Sequence, residues 1–288
     1  MRVRVGDVRL YFDVAGMELV PDGPMMRERP IVVCLHGGPG FDHSTLKPFL
    51  GPLEDEAQLI FLDHRGQGRS DESMPGRWNL DTWIDDVAAF CDVLGIERPI
   101  ILGQSFGGIV GLGIAIRYPE LPARLVVSSS VAKFRPERAL AMFEELGGGE
   151  AREVAARFFR NPNQESFDAF MVTCFPLYGR APRDPDVRAR VRLRPEVNFH
   201  FFGGELQTYD WFDDLNRIRC PTLILAGEVD PIATVLDHEE LAAAIAGSRL
   251  EVFPDAGHGV FRDKPDEALA IIRDFIRASR EPATAADL

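Results

Sequence analysis

Ile100-Ile101-Leu102-Gly103-Gln104-Ser105-Phe106-Gly107-Gly108 is the stretch on which the reading of this chain turns. The apolar run from Pro99 to Leu102 predicts a buried strand, and the small apolar residues Ile109 to Ile116 predict a buried helix. Between them Gly103-Gln104-Ser105-Phe106-Gly107 matches G-x-S-x-G. That motif, in a strand–turn–helix context, is the nucleophile elbow, where a serine sits on a sharp, strained turn at the top of a sheet. Only residues without a Cβ fit beside such a turn, which accounts for the glycines. The turn predicts a Ser105 hydroxyl pushed out above the sheet, within reach of a base. The competing reading is an ordinary Gly-rich strand-to-helix turn.

Working outward, the same strand–helix alternation recurs. Arg2–Val5 and Val8–Val14 alternate around Gly6-Asp7 and predict an N-terminal hairpin. Ile31–Leu35 and Gln58–Leu62 predict strands, ended by His36-Gly37-Gly38-Pro39-Gly40 and by Asp63-His64-Arg65-Gly66-Gln67-Gly68-Arg69-Ser70. In Leu80–Leu94 the residues Leu80, Ile84, Val87, Phe90 and Leu94 share a helical face, with Asn79 or Asp81 as cap and Gly95 as stop. Arg124–Ser128 predicts a further strand. Strands apolar on both faces, alternating with helices, imply a mostly parallel sheet flanked by helices.

The alternation lapses at about Val131. Up to about Asp213 the chain is helical and irregular, with Gly147-Gly148-Gly149, turns at Pro176, Pro182 and Pro185, and an Arg-rich run from Arg180 to Arg194. This predicts an inserted, mainly helical cap over 131–213, between core segments 1–130 and 214–288. The pattern resumes at Cys220–Gly227 and continues through a Leu236–Ile245 helix, a Leu250–Phe253 strand and a Glu267–Ala278 helix. The tail from Arg280 to Leu288 is expected to fray.

A length of 288 residues and 45% hydrophobic content suffice for one large α/β domain. The net charge of −13 has the wrong sign for a nucleic-acid partner. The lysines are Lys47, Lys133 and Lys264, so nearly all the positive charge is arginine. No stretch approaches the roughly 18 apolar residues of a membrane span, and the first residues, Met1 to Asp7, lack the apolar core of a secretion signal. Cys34, Cys91, Cys174 and Cys220 form no C-x-x-C pair and no zinc-like spacing; Cys34 and Cys91 read as buried thiols. A cytoplasmic protein without metal, membrane or nucleic-acid partner is the expectation.

A serine alone is a poor nucleophile and needs a base, which in turn needs an orienting carboxylate. For an elbow serine the chain order is Ser, Asp/Glu, His. The histidines after Ser105 are His200, His238 and His258. His200 falls among aromatics of the insertion, and His238 reads as a solvated residue at a polar helix start. His258, in Asp255-Ala256-Gly257-His258-Gly259, follows a strand on a loop at its carboxyl end, flanked by two glycines, where α/β sites gather. It is the expected base. Asp230, a few residues past the Leu223–Ala226 strand, is the expected acid; Asp255 and Glu228 are its rivals. The oxyanion donors are expected on Phe106, the residue after the serine, and on Gly38 of the Gly37-Gly38-Pro39-Gly40 loop, with Gly37 second. His36 reads as a structural hydrogen-bonding residue, and Asp63, Arg65 and Gly68 as a buried turn bracing the elbow.

Together these motifs resemble the α/β-hydrolase superfamily and, within it, the proline iminopeptidase group. His36 to Gly40 is similar to that group's H-G-G-P-G, and Asp63 to Ser70 to its D-x-R-G-x-G-x-S. Gly103 to Gly108, Gly227 to Asp230 and Gly257-His258 fall in the matching order. The resemblance implies an α/β-hydrolase fold and an exopeptidase that releases an N-terminal residue. It also implies glutamates that hold the substrate's ammonium, one in the cap and one beside the acid. Here Pro231 follows Asp230, and Asn198 stands where the cap glutamate would be. Glu196, Glu205 or Asp210 would have to substitute.

The expected function is therefore a cofactor-independent serine hydrolase that cleaves a small ester, lactone or amide with Ser105, Asp230 and His258. A proline iminopeptidase-type aminopeptidase is the alternative, and a non-catalytic ligand-binding protein of the same fold the rival from another class. The partner is a small molecule or short peptide. Its expected contacts are Glu196, Phe199, Phe202 and Trp211, drawn from an aromatic stretch that also holds Phe201, Tyr209 and Phe212.

Overall fold

The computed structural model describes residues 1–182 and 184–278. The tail from Arg280 to Leu288 lies outside them. The strands are β1 (Arg2–Val5), β2 (Val8–Ala15), β3 (Leu19–Asp22), β4 (Met25–Glu28), β5 (Ile31–Leu35), β6 (Gln58–Leu62), β7 (Ile100–Gln104), β8 (Arg124–Ser128), β9 (Thr222–Gly227) and β10 (Arg249–Phe253). The helices are α1 (Lys47–Leu50), α2 (Leu80–Leu94), α3 (Phe106–Arg117), α4 (Pro136–Arg160), α5 (Gln164–Thr173), α6 (Val187–Arg190), α7 (Pro195–Phe202), α8 (Val235–Ala244), α9 (Val260–Asp263) and α10 (Pro265–Arg277).

Eight strands form one sheet in the order β1-β2-β6-β5-β7-β8-β9-β10. The pairs from β6 to β10 are parallel, and β2 joins β6 antiparallel. Because side chains alternate along a strand, each apolar strand feeds two cores. Val33, Leu35, Ile101, Leu125 and Val127 face α2 and α3, while Val32, Cys34, Ile100, Leu102 and Val126 face the α10 side. Both layers are buried, as the unbroken apolar runs require. Among the described residues no helix is long and apolar enough to cross a membrane. All four cysteines are buried free thiols.

Helix α2 begins where Asn79 Oδ1 accepts the Thr82 N–H at 2.8 Å, and it ends at Gly95 in the left-handed region (φ 64°). The hairpin β3–β4 carries no periodic signal, because nearly all of its side chains are exposed. Gly147-Gly148-Gly149 is helical rather than irregular. It lies inside α4, which kinks at Gly148 (φ 74°). Helices α4 to α7 all fall between β8 and β9, where the alternation of the sequence lapses.

The turn after β6 is a charge network. Asp63 Oδ1 accepts from the His43 backbone N–H (2.8 Å) and lies 2.7 Å from His43 Nδ1, and Asp63 Oδ2 accepts from Arg69 N–H (2.8 Å). Arg65 forks onto Asp86 of α2 through two 2.7 Å bonds. Trp83 Nε1 donates to the Arg65 carbonyl at 3.1 Å, and its ring meets Phe106 edge-on at 4.9 Å. The turn thereby reaches α2, and α2 reaches the first residue of α3.

The elbow itself tolerates no added carbon. A Cβ at Gly103 would fall on the Gly107 carbonyl, and one at Gly107 on the Leu35 carbonyl. Backbone cannot move aside as a side chain can, so Gly103→Ala is expected to cost about 3 kcal/mol or more in a urea-denaturation experiment. Gly51→Ala, where a Cβ meets nothing within 4 Å, is expected to leave the midpoint near that of the parent. Equal midpoints for the two variants would refute the tight elbow.

Candidate active site

Ser105 stands between β7 and α3 at φ 54° and ψ −119°, a conformation that side chains avoid. Backbone bonds hold it there. Its N–H donates to Ser128 O (2.9 Å), and its carbonyl accepts from Gly108 N (2.9 Å), Ile109 N (3.1 Å) and Ser130 Oγ (2.7 Å). The residue is half-buried, so its hydroxyl is not sealed in the core.

Asp230 and His258 arrive from the ends of β9 and β10. His258 Nδ1 lies 2.9 Å from each Asp230 carboxylate oxygen. Asp230 is fully buried and also accepts the Ile232 and Ala233 N–H groups at 2.8 and 3.0 Å. Burial opposes its ionisation, but the His258 imidazole and these donors outweigh burial and hold the carboxyl below its ordinary value. An ionised Asp230 only accepts, so Nδ1 carries the proton and Nε2 is left free. The His258 loop is tied to the elbow, since Gln104 Nε2 donates to the His258 carbonyl at 3.1 Å. On its other side His258 N–H donates to Tyr178 O (2.8 Å), and the two rings meet edge-on at 5.0 Å.

The rival acids lie elsewhere. Asp255 is exposed and pairs with Arg180 Nε at 3.3 Å, and the exposed Glu228 accepts the Asp255 N–H at 2.8 Å. His238 departs from expectation: it is fully buried, not solvated. The Ser130 N–H donates to its Nε2 at 3.2 Å, so Nδ1 carries the hydrogen and donates to Thr234 O at 2.9 Å. The sequence hid this because His238 lies in the first turn of a helix whose other polar residues are exposed or ion-paired. His36 is likewise buried, with Nδ1 2.7 Å from Gly37 O.

The loop after β5 closes over the elbow. A Cβ built on Gly37 would meet Ser105 Cβ at 3.3 Å, and Gly38 adopts φ 127°. Phe106 is the first residue of α3, where backbone N–H groups have no helical carbonyl to bond. Gly38, Ser105 and Phe106 share the lining of a cavity of about 30 Å³. The β8 end contributes Ser129, Ser130 and Val131, and the helical insertion contributes Phe134, Phe201, Phe202 and Leu206. Ile109 and the Asp230 neighbours Ile232 and Ala233 complete it.

Of the expected substrate contacts, Phe202 alone lines this cavity. Glu196 is exposed. Phe199 packs edge-on against Phe167 at 5.6 Å, and Trp211 packs its ring on the core while its backbone N–H donates to Ala132 O at 2.9 Å. The two other acids that could substitute are engaged: Glu205 Oε2 accepts the Leu80 N–H at 2.7 Å, and Asp210 pairs with Lys133 Nζ at 2.8 Å. Ser129 and Ser130 escaped the sequence reading. Their signal was a Ser128-Ser129-Ser130 run at the carboxyl end of an apolar strand.

Comparison with known proteins agrees with this architecture. The family described as alpha/beta hydrolase fold matches residues 30–265. The chain is 28% identical over 274 residues to a proline iminopeptidase of Lactobacillus helveticus, covering 86% of this chain and 90% of the other. The crystal structure of the proline iminopeptidase of Mycobacterium smegmatis superposes with TM-score 0.77 at 24% identity, covering 97% and 98%. A thermophilic esterase from Thermogutta terrifontis superposes with TM-score 0.70 at 25% identity, covering 98% and 100%.

The buried histidines make stability depend on pH. Burial lowers the values of His36, His64 and His238 below that of a free imidazole, which is about 6.5. Between the lowered values and about 6.5 the unfolded chain binds protons that the folded chain refuses, so stability rises with pH there and is lost as pH falls below about 6.5. The urea midpoint is expected to drop between pH 7.5 and 5.5, with a shallower slope in His238→Gln. A flat profile would contradict the neutral assignments.

Proposed function

The chain belongs to the alpha/beta hydrolase fold family, and on that premise we propose that it is a serine hydrolase cleaving a small ester, lactone or amide through an acyl-enzyme intermediate. The observation that carries this reading is the buried Asp230–His258 pair, with both carboxylate oxygens 2.9 Å from Nδ1, on a loop bonded to the residue before Ser105. Asp230 fixes the tautomer that leaves Nε2 basic. Ser105 Oγ attacks the carbonyl carbon as its proton passes to His258 Nε2. The oxyanion is held by the N–H groups of Gly38 and Phe106, and Asp230 offsets the charge of the imidazolium. The carbonyl re-forms, the leaving group takes the His258 proton, and the acyl group stays on Ser105. Water, deprotonated by His258, then releases the acid.

The cavity supports an apolar acyl part. Its volume of about 30 Å³ is close to one water and far below the roughly 300 Å³ or more of a pocket for a drug-sized ligand. An acyl group enters only as the Phe201, Phe202 and Leu206 side chains give way. No carboxylate lines the cavity among the described residues. The residue after Asp230 is Pro231, and Glu196, Glu205 and Asp210 are exposed, capping a helix or ion-paired. A substrate ammonium placed here would lose its hydration without gaining a partner. These placements favour an acyl substrate over an N-terminal peptide, despite the similarity to iminopeptidases.

Two measurements test this reading. Ser105→Ala is expected to lose fluorophosphonate labelling and to lower kcat for p-nitrophenyl butyrate by about 10⁴-fold or more, and Asp230→Asn by about 10⁴-fold, with the fold retained. Labelling that persists in Ser105→Ala would sink the nucleophile. The second compares cyclopentanecarboxylic and prolyl p-nitroanilides, which differ in the ring CH₂ or NH₂⁺. The carbocyclic anilide is expected to be the better substrate by about a hundredfold in kcat/KM. A preference for the prolyl anilide, lost on mutating Glu196, Glu205 or Asp210, would establish the aminopeptidase instead.

A further inference from the structure

Ser129 stands at the carboxyl end of β8 with φ 49°, the left-handed region that non-glycine residues seldom occupy. Its backbone is pinned by an N–H bond to Leu225 O at 2.9 Å. The residue is 1% exposed and lines the cavity beside Ser105, yet its hydroxyl has no hydrogen-bond partner among the described residues. Buried hydroxyls are nearly always satisfied, so one without a partner, on a residue that lines a cavity, points to a partner from outside the chain. The neighbouring serines differ. Ser130 Oγ is spent on the Ser105 carbonyl at 2.7 Å, and Ser128, whose hydroxyl is also unpartnered, does not line the cavity. The rest of the lining is apolar apart from Ser105 and the backbone of Gly38 and Phe106.

The cavity takes the acyl half of the substrate. The leaving group has to face His258 to receive its proton, and His258 is not among the lining residues. What enters the cavity is therefore bonded to the acyl side of the scissile carbonyl. We propose that Ser129 is a specificity-determining residue that hydrogen-bonds an oxygen substituent on the α or β carbon of a short acyl group. A serine hydroxyl donates and accepts, so it suits a hydroxyl on the substrate. The preferred substrate class is thus a short hydroxyacyl ester or lactone rather than a plain alkanoate. This rests on the serine-hydrolase reading of the same site.

The test measures kcat/KM for the ethyl esters of butyrate, 2-hydroxybutyrate and 3-hydroxybutyrate by acid release. Parent protein is compared with Ser129→Ala and with Ser129→Gly, which keeps the left-handed backbone without strain. Effects common to all the esters cancel in the hydroxy-to-plain ratio. For one of the two hydroxy esters this ratio is expected to fall about tenfold in both variants, the size of one hydrogen bond. In parallel, calorimetry on Ser105→Ala protein compares the binding of the three acids, and the same hydroxy acid is expected to lose its advantage over butyrate on adding Ser129→Ala. Turnover with ratios unaltered by either variant overturns the Ser129 assignment and leaves the hydrolase standing. Ser129-dependent binding without turnover by the parent protein overturns the hydrolase and leaves the site. Absence of both overturns both.

Discussion

A serine held at φ 54° is a cost that only its surroundings can sustain, and the rest of the structure is arranged around sustaining it. The Ser105 backbone is bonded to β8 through Ser128 and into the first turn of α3. Gly103 and Gly107 let strand and helix approach until a single methyl would overlap backbone. The flanking glycines are therefore steric requirements, and the apolar strand and helix on either side supply the burial that holds the turn closed. The Asp63–Arg65 turn adds a second brace through α2 and Trp83, whose ring presses on Phe106.

On this frame the electrostatics are sparse. Asp230 is buried as an anion because two backbone N–H groups and an imidazole meet it. A carboxylate so placed dictates which nitrogen of His258 is protonated, and through it which nitrogen can serve as a base. His238 lies near enough to Asp230 to feel its charge. Burial, and the fixed donor from Ser130 to its Nε2, nevertheless keep it neutral. In the proposed reaction cycle Asp230 thus has one charge partner to form, His258. A second imidazolium at His238 would draw the carboxylate away from that role.

Most of the fold could be read because buried parallel strands and amphipathic helices carry strong periodic signals. Ile31–Leu35, Gln58–Leu62 and Leu80–Leu94 begin and end as the sequence predicts. The β3–β4 hairpin could not be read in this way: exposed on both faces, it has no apolar alternation to display. The same physics divides the site. Ser105, Asp230 and His258 are readable as candidates from motif and chain order, because each follows a recognisable strand end. The cavity wall does not. Which aromatic of Phe199, Phe201 and Phe202 turns toward Ser105 depends on how α7 lies on the core, a long-range packing outcome absent from local spacing. Likewise the polarity around His238 suggests a surface, and only the packing of α8 against β9 and β10 shows it buried.

Asn198 indicates how one scaffold can serve different chemistry. It is buried on α7, and its Nδ2 donates to the Pro39 carbonyl at 3.1 Å, while Arg194 N–H from the turn before α7 donates to Gly40 O at 2.7 Å. The insertion therefore grips the very loop that carries Gly38. A carboxylate at this position could not replace the contact, since an ionised acid and a carbonyl both only accept. It would repel Pro39 or turn away from it. An amide at position 198 thus fits a side chain that braces the Gly37–Gly40 loop and fits poorly one that receives a cation. With that amide on the loop and no carboxylate among the described residues of the cavity wall, the proposed acyl substrate fits this site better than the positive charge of an N-terminal peptide would.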